Sequence, residues 1–330
     1  MRRIGRLIRP SKGLLVVFST LLTFITVTLV YEVRKGKEYD VWKNYYQQQG
    51  DWKGRLTVAS NNDILMWEYR PNAQFTAATG RYTITTNRYG FRGQDRDLSS
   101  KKQNTKRIAF LGDSATLGLF VEEEETFVSK FEYYANNQYR NGSVESLNCA
   151  VDGYHTVQIL ELLKTKVLPL LPDTVVYVMH LNDFDFEFSS AHKVLYFRRP
   201  HSFVWNDIRN TIWPIFYDYY DYSFRRNKDA VFQAIKEMSS MLRERDRNFI
   251  VVVLPVFKMK EKDFNHYPHW KLHQAIGKFL SKEDIRSMDL LHSFKKENQP
   301  PKFFGRDVWH LNPTGHDYVA RTLLPVVLEQ

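Results

Sequence analysis

Five short apolar segments, separated by longer segments of helical character, organise the chain from residue 105 onward. The apolar segments are 107–111, 144–148, 174–179, 249–254 and 285–290. The helical segments are 126–139, 156–168, 228–245, 268–280 and a last one, 313–328. Strands that alternate with helices are joined by crossover connections, which produce a parallel sheet covered on both faces. The alternation therefore predicts an α/β fold with three layers, α/β/α, around a five-stranded parallel sheet.

The first apolar segment ends in a turn of small residues, Gly112-Asp113-Ser114. In α/β sheets the carboxyl ends of parallel strands open onto the ligand crevice, and the helix that follows points backbone N–H groups at an anion. A serine in this position suits a nucleophile. Asp and Ser are also common turn residues, so the turn alone is equally compatible with a plain strand-to-helix connection. The Gly-x-Ser-x-Gly elbow of other serine hydrolases is not met, because Thr116 takes the place of its second glycine.

An acid and a histidine near the C-terminus complement this serine. Asp307 precedes His310 by three residues. A hydroxyl becomes nucleophilic at neutral pH when a base accepts its proton, and the base requires an acceptor that fixes its tautomer and stabilises its charged form. Asp307 and His310 have the chemistry for these roles, which makes Ser114, His310 and Asp307 a candidate catalytic triad.

At this point the chain resembles the SGNH, or GDSL, hydrolases. Four blocks carry the resemblance, in the family's order and each after a predicted strand: Gly112-Asp113-Ser114, Gly153, Asn182-Asp183 and Asp307 to His310. The third block departs from the usual Gly-x-Asn-Asp, because His180 stands in the position of its glycine. The resemblance spans residues 105–330 and implies the flavodoxin-like fold of that family.

The resemblance also implies a mechanism. Ser114 attacks an acyl carbonyl, His310 takes the proton of the hydroxyl and later gives it to the leaving alcohol, and Asp307 orients His310. The backbone N–H groups of Ser114 and Gly153 and the side-chain amide of Asn182 then form the oxyanion hole. For Gly153 and Asn182 the alternative is a purely structural part in turns. No cofactor and no metal ion is implied.

A run of nineteen residues without a charged side chain, 13–31, lies near the N-terminus. As a helix it reaches about 28 Å, close to the thickness of the hydrocarbon core of a bilayer. It is longer than the apolar part of a cleaved signal peptide and ends without an Ala-x-Ala-like site, which favours a signal anchor. Five basic residues precede the run and three follow it. This bias predicts a cytoplasmic N-terminus and a catalytic domain in the periplasm, or otherwise outside the cytoplasm.

The composition divides the chain into three parts. Residues 1–35 comprise a basic tail and the anchor, 36–104 a stalk and an N-terminal extension, and 105–330 the catalytic domain. Residues 1–37 hold eight basic side chains against one acidic one, and therefore seven of the ten net positive charges. The rest of the chain is nearly neutral, so no nucleic-acid partner is expected. Cys149 is the only cysteine, which excludes an intramolecular disulfide.

Residues 192–224 form an insert between the third and fourth predicted strands, and this insert is rich in aromatic residues. Its three aspartates, Asp207, Asp218 and Asp221, exclude a second membrane span. Three interpretations remain open: additional core, a lid or wall for the substrate, and a surface that lies on the membrane.

A group of histidines has a simpler explanation than metal binding. His266, His269 and His273 have a spacing that resembles one face of a helix, but Pro268 interrupts them and no matching acidic cluster accompanies them. A polar surface is expected there.

These features give three hypotheses. The first is a serine esterase, anchored in the membrane through residues 13–31, that removes small acyl groups such as acetyl from a glycan or lipid. The second is an O-acyltransferase, in which a hydroxyl of an envelope polysaccharide takes up the acyl group and a membrane protein is a possible acyl-transfer partner. The third is a non-catalytic, membrane-tethered binding protein. The motifs do not separate the first two, and they leave acyl-chain length, acceptor and oligomeric state open.

Overall fold

The computed structural model of the chain describes residues 11–49, 56–77, 82–101, 103–138, 143–186, 201–205, 207–208 and 218–328. It begins with a helix of 38 residues, α1 (Lys12–Gln49). One stretch of this helix, Lys12–Asp40, is long and apolar enough to cross a membrane, and its most apolar window is not buried in the protein. Leu14, Phe18 and Phe24, for example, are each more than half exposed. The helix thus presents outward a surface that water disfavours.

Two small antiparallel pairs of strands follow. The first consists of β1 (Thr57–Ala59) and β2 (Trp67–Tyr69), and the second of β3 (Gln74–Thr76) and β4 (Thr83–Thr85). The side chains of Trp67 and Ile84 are fully buried and belong to the same apolar cluster as the large sheet described next. The N-terminal extension therefore shares one core with the α/β part of the chain.

The α/β part is built on a parallel sheet. Its strands are β5 (Thr105–Leu111), β6 (Ser143–Asn148), β7 (Thr174–His180), β8 (Asn248–Leu254) and β9 (Ser287–Asp289). The order across the sheet is β6-β5-β7-β8-β9, and all neighbours are parallel. Numbered along the chain this is 2-1-3-4-5, the flavodoxin-like order. The predicted fold class, including its five-stranded parallel sheet, is confirmed.

Helices cover both faces of this sheet. They are α2 (Ser114–Leu117), α3 (Phe127–Gln138), α4 (Thr156–Leu162), α5 (Tyr219–Arg243), α6 (Trp270–Lys282), α7 (Leu290–Lys296), α8 (Pro301–Phe304) and α9 (Pro313–Leu328). α9 packs on α3, and α4 packs on α5, so each layer joins segments that are distant in sequence. All residues of β7 are buried, as expected of a strand covered on both faces.

Two of the boundaries that differ from the sequence expectation are set by aspartate caps. α5 begins at Tyr219 and not at residue 228, because Asp218 accepts the N–H groups of Tyr220 and Asp221 at 3.0 and 3.3 Å. The end of the predicted insert, 219–224, is therefore helical, whereas its residues 192–200, 206 and 209–217 lie outside the described part of the chain. β9 ends at Asp289 and not at residue 290, because Asp289 caps α7.

A buried histidine joins α9 to α3. The Nδ1 atom of His316 accepts the N–H of Phe127 at 3.2 Å, and the two rings stack with centroids 5.8 Å apart. Burial, with a smaller effect from the positive charge of Arg92, lowers the pKa of His316 to about 3. The ring is therefore neutral and carries its proton on Nε2. This contact fixes the helix that follows the loop holding Asp307 and His310.

We expect acid to destabilise the fold through His316. In the unfolded chain a histidine titrates near 6.5, whereas His316 in the fold titrates near 3. Between these values the unfolded state binds the additional proton. The contribution of His316 to the free energy of unfolding is therefore complete above about pH 6.5 and is lost as the pH falls toward about 3. The variant His316→Gln, whose amide oxygen can accept the N–H of Phe127, should have a smaller slope of unfolding free energy against pH.

Urea unfolding of the full chain in detergent, across this pH range, measures that slope. The exposed His266 provides the matched control variant His266→Gln, which should leave the slope unchanged. An equal slope for the wild type and His316→Gln would contradict the assignment of this pH dependence to His316.

Candidate active site

The candidate residues lie where the strand order of the sheet reverses. β5 is flanked by β6 on one side and β7 on the other, so the connections that leave β5 and β7 run in opposite directions. Ligands of open α/β sheets bind in the crevice at this point. β5 leads into Gly112-Asp113-Ser114, and β7 leads into His180-Leu181-Asn182. The parallel pairing of the two strands brings these two segments side by side.

The turn after β5 is tight, and Ser114 is the first residue of the helix that follows it. Asp113 is almost fully buried and caps α2 by accepting the N–H of Ala115 at 2.9 Å. At Gly112 a side chain would not fit, since a Cβ atom there would lie 2.2 Å from Oγ1 of Thr116 and 2.9 Å from the carbonyl oxygen of Val178. This close approach allows the chain to pass directly from the strand into α2.

Ser114, His310 and Asp307 form one chain of hydrogen bonds. The Nε2 atom of His310 lies 3.0 Å from Oγ of Ser114, and its Nδ1 atom lies 2.9 and 2.8 Å from the two carboxylate oxygens of Asp307. A carboxylate only accepts, so Nδ1 carries the proton and Nε2 is the acceptor for the serine hydroxyl. Ser114 and His310 are buried, whereas the side chain of Asp307 is 40% exposed.

Asp307 is fixed by its own loop. Its Oδ1 atom accepts the N–H groups of Trp309 and His310 at 2.8 and 2.9 Å. Burial by itself would raise the pKa of Asp307, but the hydrogen bond and charge of His310, together with these N–H groups, more than offset burial and lower the pKa to about 2. The carboxylate is therefore charged throughout the range in which histidines titrate.

Asn182 is joined through Asp113 to the turn of residues 112–114. Its Nδ2 atom donates a hydrogen bond to Oδ2 of Asp113 at 2.8 Å, which engages one of the two N–H groups on that nitrogen. This contact determines which end of the amide is nitrogen, so Oδ1 faces Nδ1 of His180. His180 is buried, which lowers its pKa, and the neutral ring donates from Nδ1. The amide of Asn182 is thus held at both ends.

Asp183, which follows Asn182 in the sequence, holds the same turn to the end of β7. It is fully buried, and its Oδ2 atom accepts the hydroxyl of Tyr177 at 2.6 Å and the N–H of His180 at 3.1 Å. Burial raises the pKa of this carboxyl well above its usual range. The backbone that carries Asn182 is therefore fixed to β7.

Gly153 lies in the loop after β6, beside the turn of residues 112–114. The N–H of Val151 donates to the carbonyl of Gly112 at 3.1 Å, so this loop continues along the end of β5. Gly153 has a φ of +78°, a left-handed conformation that costs other residues energy. The N–H of Asp152 donates to the hydroxyl of Tyr69 in β2 at 3.1 Å. The N-terminal extension therefore helps to hold the loop of Gly153.

Two buried residues that the sequence analysis missed hold the end of α2. The guanidinium of Arg92 donates to the carbonyls of Leu117, Gly118 and Val121 at 2.9, 2.6 and 2.7 Å. Nδ2 of Asn148 donates to the carbonyl of Leu117 at 3.3 Å. A buried cation requires such acceptors. No motif marks Arg92, because its acceptors are backbone atoms and carry no sequence signal.

Aromatic side chains form the rim of the site. The ring of Phe120 packs edge-on against His310 with centroids 5.0 Å apart, and the guanidinium of Arg306 lies 4.6 Å from the centre of the Phe120 ring. Trp309 is 43% exposed, and its indole N–H donates to the hydroxyl of Tyr220 at 2.8 Å. Since Tyr220 belongs to the first turn of α5, the end of the predicted insert contributes to this rim.

The polar surface predicted for the histidines is wrong for two of the three. His269 and His273 are 4% and 3% exposed. Nδ1 of His273 lies 2.8 Å from Oδ1 of Asp289, and Nδ1 of His269 lies 3.5 Å from Oδ1 of Asp218. Both rings therefore attach α6 to neighbouring segments, whereas His266 is exposed as predicted.

No family model and no curated protein matches the chain. Among solved structures it is similar to Axe2, an acetylxylan esterase from Geobacillus stearothermophilus, at 13% identity and a TM-score of 0.47, over 68% of this chain and 95% of that one. It is also similar to LAE5, an α/β hydrolase from the metagenome of Lake Arreo, Spain, at 14% identity and a TM-score of 0.47, over 67% of this chain and 94% of that one. The similarity to TesA has 11% identity and a TM-score of 0.45, over 67% of this chain and 97% of that one. TM-scores below 0.5 leave the reaction to be inferred from the site alone.

We expect His180 to act as a positioning residue for the amide of Asn182. In His180→Phe the donor to Oδ1 is lost, so kcat for a chromogenic acetate ester should fall, by at most about 10²-fold, the lower end of what removal of an oxyanion donor costs. KM should stay unchanged. In an Asn182→Ala background the same substitution should have no further effect on kcat, because there is no amide left to orient.

A double-mutant cycle of steady-state kinetics measures this coupling. If His180→Phe lowered kcat equally in the presence and absence of Asn182, His180 would act on the fold and not on the amide.

Proposed function

We propose that the protein is a serine esterase of the SGNH type that cleaves small, acetyl-like acyl esters of a glycan or lipid. The hydrogen-bonded chain from Ser114 through His310 to Asp307 carries this proposal. A hydroxyl 3.0 Å from the unprotonated nitrogen of a histidine, whose other nitrogen is held by a carboxylate, is the arrangement that acyl transfer requires.

The first half of the reaction forms an acyl-enzyme. Oγ of Ser114 attacks the carbonyl carbon of the ester while Nε2 of His310 takes the hydroxyl proton. The charged Asp307 stabilises the imidazolium that results. When the tetrahedral intermediate collapses, the bond to the alcohol oxygen breaks and His310 returns the proton to that oxygen. The products of this half are acyl-Ser114 and the free alcohol.

The second half releases the acid. A water molecule gives one proton to Nε2 of His310 and attacks the acyl carbonyl, and collapse of the second intermediate returns the proton to Oγ of Ser114. The sum of both halves is ester plus water to acid plus alcohol.

Three donors would stabilise the negative oxygen of both intermediates. They are the N–H of Ser114 at the start of α2, the N–H of Gly153 and the second hydrogen on Nδ2 of Asn182. The support for this assignment is that the amide of Asn182 is fixed with its nitrogen toward the nucleophile turn, and that Gly153 lies in a loop bonded to the same turn. Donors held in place before the reaction need no reorganisation when charge develops.

The rim supports a small acyl group on a larger carrier. Phe120 packs edge-on against His310, and we infer that its ring limits the space left for the acyl chain. The half-exposed indole of Trp309 lies next to the triad in sequence and offers a flat apolar surface, of the kind on which sugar rings and lipid chains pack.

The location is part of the proposal. The apolar stretch of α1 would span the membrane through residues 13–31, with the basic N-terminus in the cytoplasm and the catalytic domain outside it, in the periplasm of a Gram-negative cell. Among the described residues one helix is long and apolar enough to cross a membrane, and its exposed apolar surface supports the anchor.

We expect a fluorophosphonate probe to label the full chain at Ser114. The Oγ–P bond forms as the P–F bond breaks, and the intact mass increases accordingly. Ser114→Ala should abolish labelling and ester hydrolysis. Asp307→Asn should lower kcat by about four orders of magnitude, because the asparagine amide can stabilise the wrong tautomer of His310.

Asp317 offers a matched control, because Asp317→Asn replaces a partly exposed carboxylate on α9, whose partners are Tyr134 and Arg321. This control should retain activity. A wild-type chain that the probe does not label would refute the proposal in favour of a binding protein. If a polysaccharide acceptor added to the assay diverted the acyl group from water, the esterase would have to be replaced by an O-acyltransferase.

A further inference from the structure

The end of the apolar stretch of α1 is bonded to the insert. We call residues 201–205 and 207–208 the docking segment. The carboxylate of Glu32 accepts the hydroxyl of Ser202 at 2.5 Å, the N–H of Phe203 at 2.8 Å and the N–H of Val204 at 3.0 Å. Three donors from three consecutive residues converge on one carboxylate, so this contact has a defined geometry.

A second set of contacts surrounds this one. The hydroxyl of Tyr31 donates to Asp207 at 2.6 Å, and Nζ of Lys35 lies 3.8 Å from the same carboxylate. The rings of Tyr39 and Phe203 lie 6.0 Å apart. With 3.6 residues per turn, the participating helix residues fall on one face of α1. The docking segment therefore lies along the helix for about two turns.

The contact begins where the apolar run ends. Residues 14–27 of α1 are exposed, whereas Gly36 is buried. If the run spans a bilayer, the docking segment lies at the boundary between lipid and water. Its own side chains Trp205 and Ile208 are 61% and 40% exposed, so the segment itself presents apolar surface. Tryptophan is the residue that most favours this boundary, together with tyrosine.

The C-terminal end of the insert lies at the active-site rim. Phe186, six residues before the insert, packs against His155 at the start of α4 with ring centroids 4.4 Å apart. At the C-terminal end, the hydroxyl of Tyr219 donates to Asp185 at 2.7 Å, and Tyr220 accepts the indole N–H of Trp309. The end of the insert is thus held at the active site, and its described residues 201–205 and 207–208 bind α1.

We propose that the docking segment holds the active-site cleft against the membrane surface, so that the ester substrate is carried by a molecule embedded in the bilayer, such as an acylated glycolipid. This inference rests on the proposed esterase function. A cleft on a loose tether would reach soluble polymers as well as lipids. A cleft fixed beside the lipid headgroups acts on esters presented at that surface, which it meets at a high effective concentration.

The position of the docking segment is tested without any measurement of activity. The fluorophore NBD is attached to Trp205→Cys and, as a second position, to Ile208→Cys, in the full chain reconstituted in vesicles of phosphatidylethanolamine and phosphatidylglycerol. Cys149 is fully buried, which raises the pKa of its thiol, so it does not compete for the label. Tyr133→Cys, at a position 65% exposed on α3, is the control. Lipid contact shifts NBD emission to the blue at 205 and 208 and leaves it unchanged at 133. Water-like emission at both segment positions would overturn the proposal.

The consequence for the substrate is tested with Glu32→Gln, which keeps the size of the side chain but offers an amide N–H group to the donors of the docking segment. Its hydrolysis of an acetylated glycolipid in the vesicles should fall by at least about tenfold, because a fixed orientation is lost, whereas its hydrolysis of soluble 4-nitrophenyl acetate stays at the wild-type rate. Glu38→Gln is the matched control, since Glu38 pairs with Arg34 and Lys35 on the same helix. It should leave both rates unchanged.

A wild-type rate on the glycolipid in Glu32→Gln would overturn the proposal. An equal loss on both esters would also overturn it, since Glu32 would then act on the fold as a whole. A wild-type chain that cleaves neither ester would refute the esterase, and the NBD emission would still decide whether the docking segment lies on lipid.

Discussion

Parallel pairing of β5 with β7 is the interaction on which the rest of the site depends. The two strands are separated by a complete strand–helix unit along the chain, yet their backbones are hydrogen-bonded from Ile108 to Leu111. Because parallel strands end at the same edge of a sheet, this register places the turn of Ser114 and the turn of Asn182 next to each other. The hydrogen bond between Asp113 and Asn182 then follows from geometry that the backbone has already fixed.

Buried polar groups stabilise the loops that this edge leaves without strand partners. Asp113 caps α2 and accepts a hydrogen bond from Asn182, while Arg92 and Asn148 donate to the carbonyls at the other end of α2. A buried polar group without partners costs about 1–3 kcal/mol, and more if it is charged. Satisfied networks of this kind therefore rigidify the backbone around Ser114. The proposed oxyanion hole requires rigidity at this place, since donors that must move lose their advantage.

Segments outside the parallel sheet are hydrogen-bonded to the loops around the site. Tyr69 of the extension holds the loop of Gly153. Tyr220, at the start of α5, holds Trp309, which lies between Asp307 and His310 in the sequence. Through the insert, the same rim is connected to Glu32 on α1. The helix α1, the extension and the candidate site are consequently parts of one structural arrangement.

The sequence by itself determined the fold class, the order of strands and helices, the strand-to-helix turn of Ser114 and the pairing of an acid with a histidine three residues later. These features are local: apolar periodicity, turn chemistry and short spacings are properties of contiguous residues. Only the tertiary structure decided that Arg92 supports α2, that His180 orients Asn182 and that His273 is buried. Those roles depend on backbone atoms and side chains from distant segments, whose approach is set by packing and leaves no pattern in the neighbouring sequence.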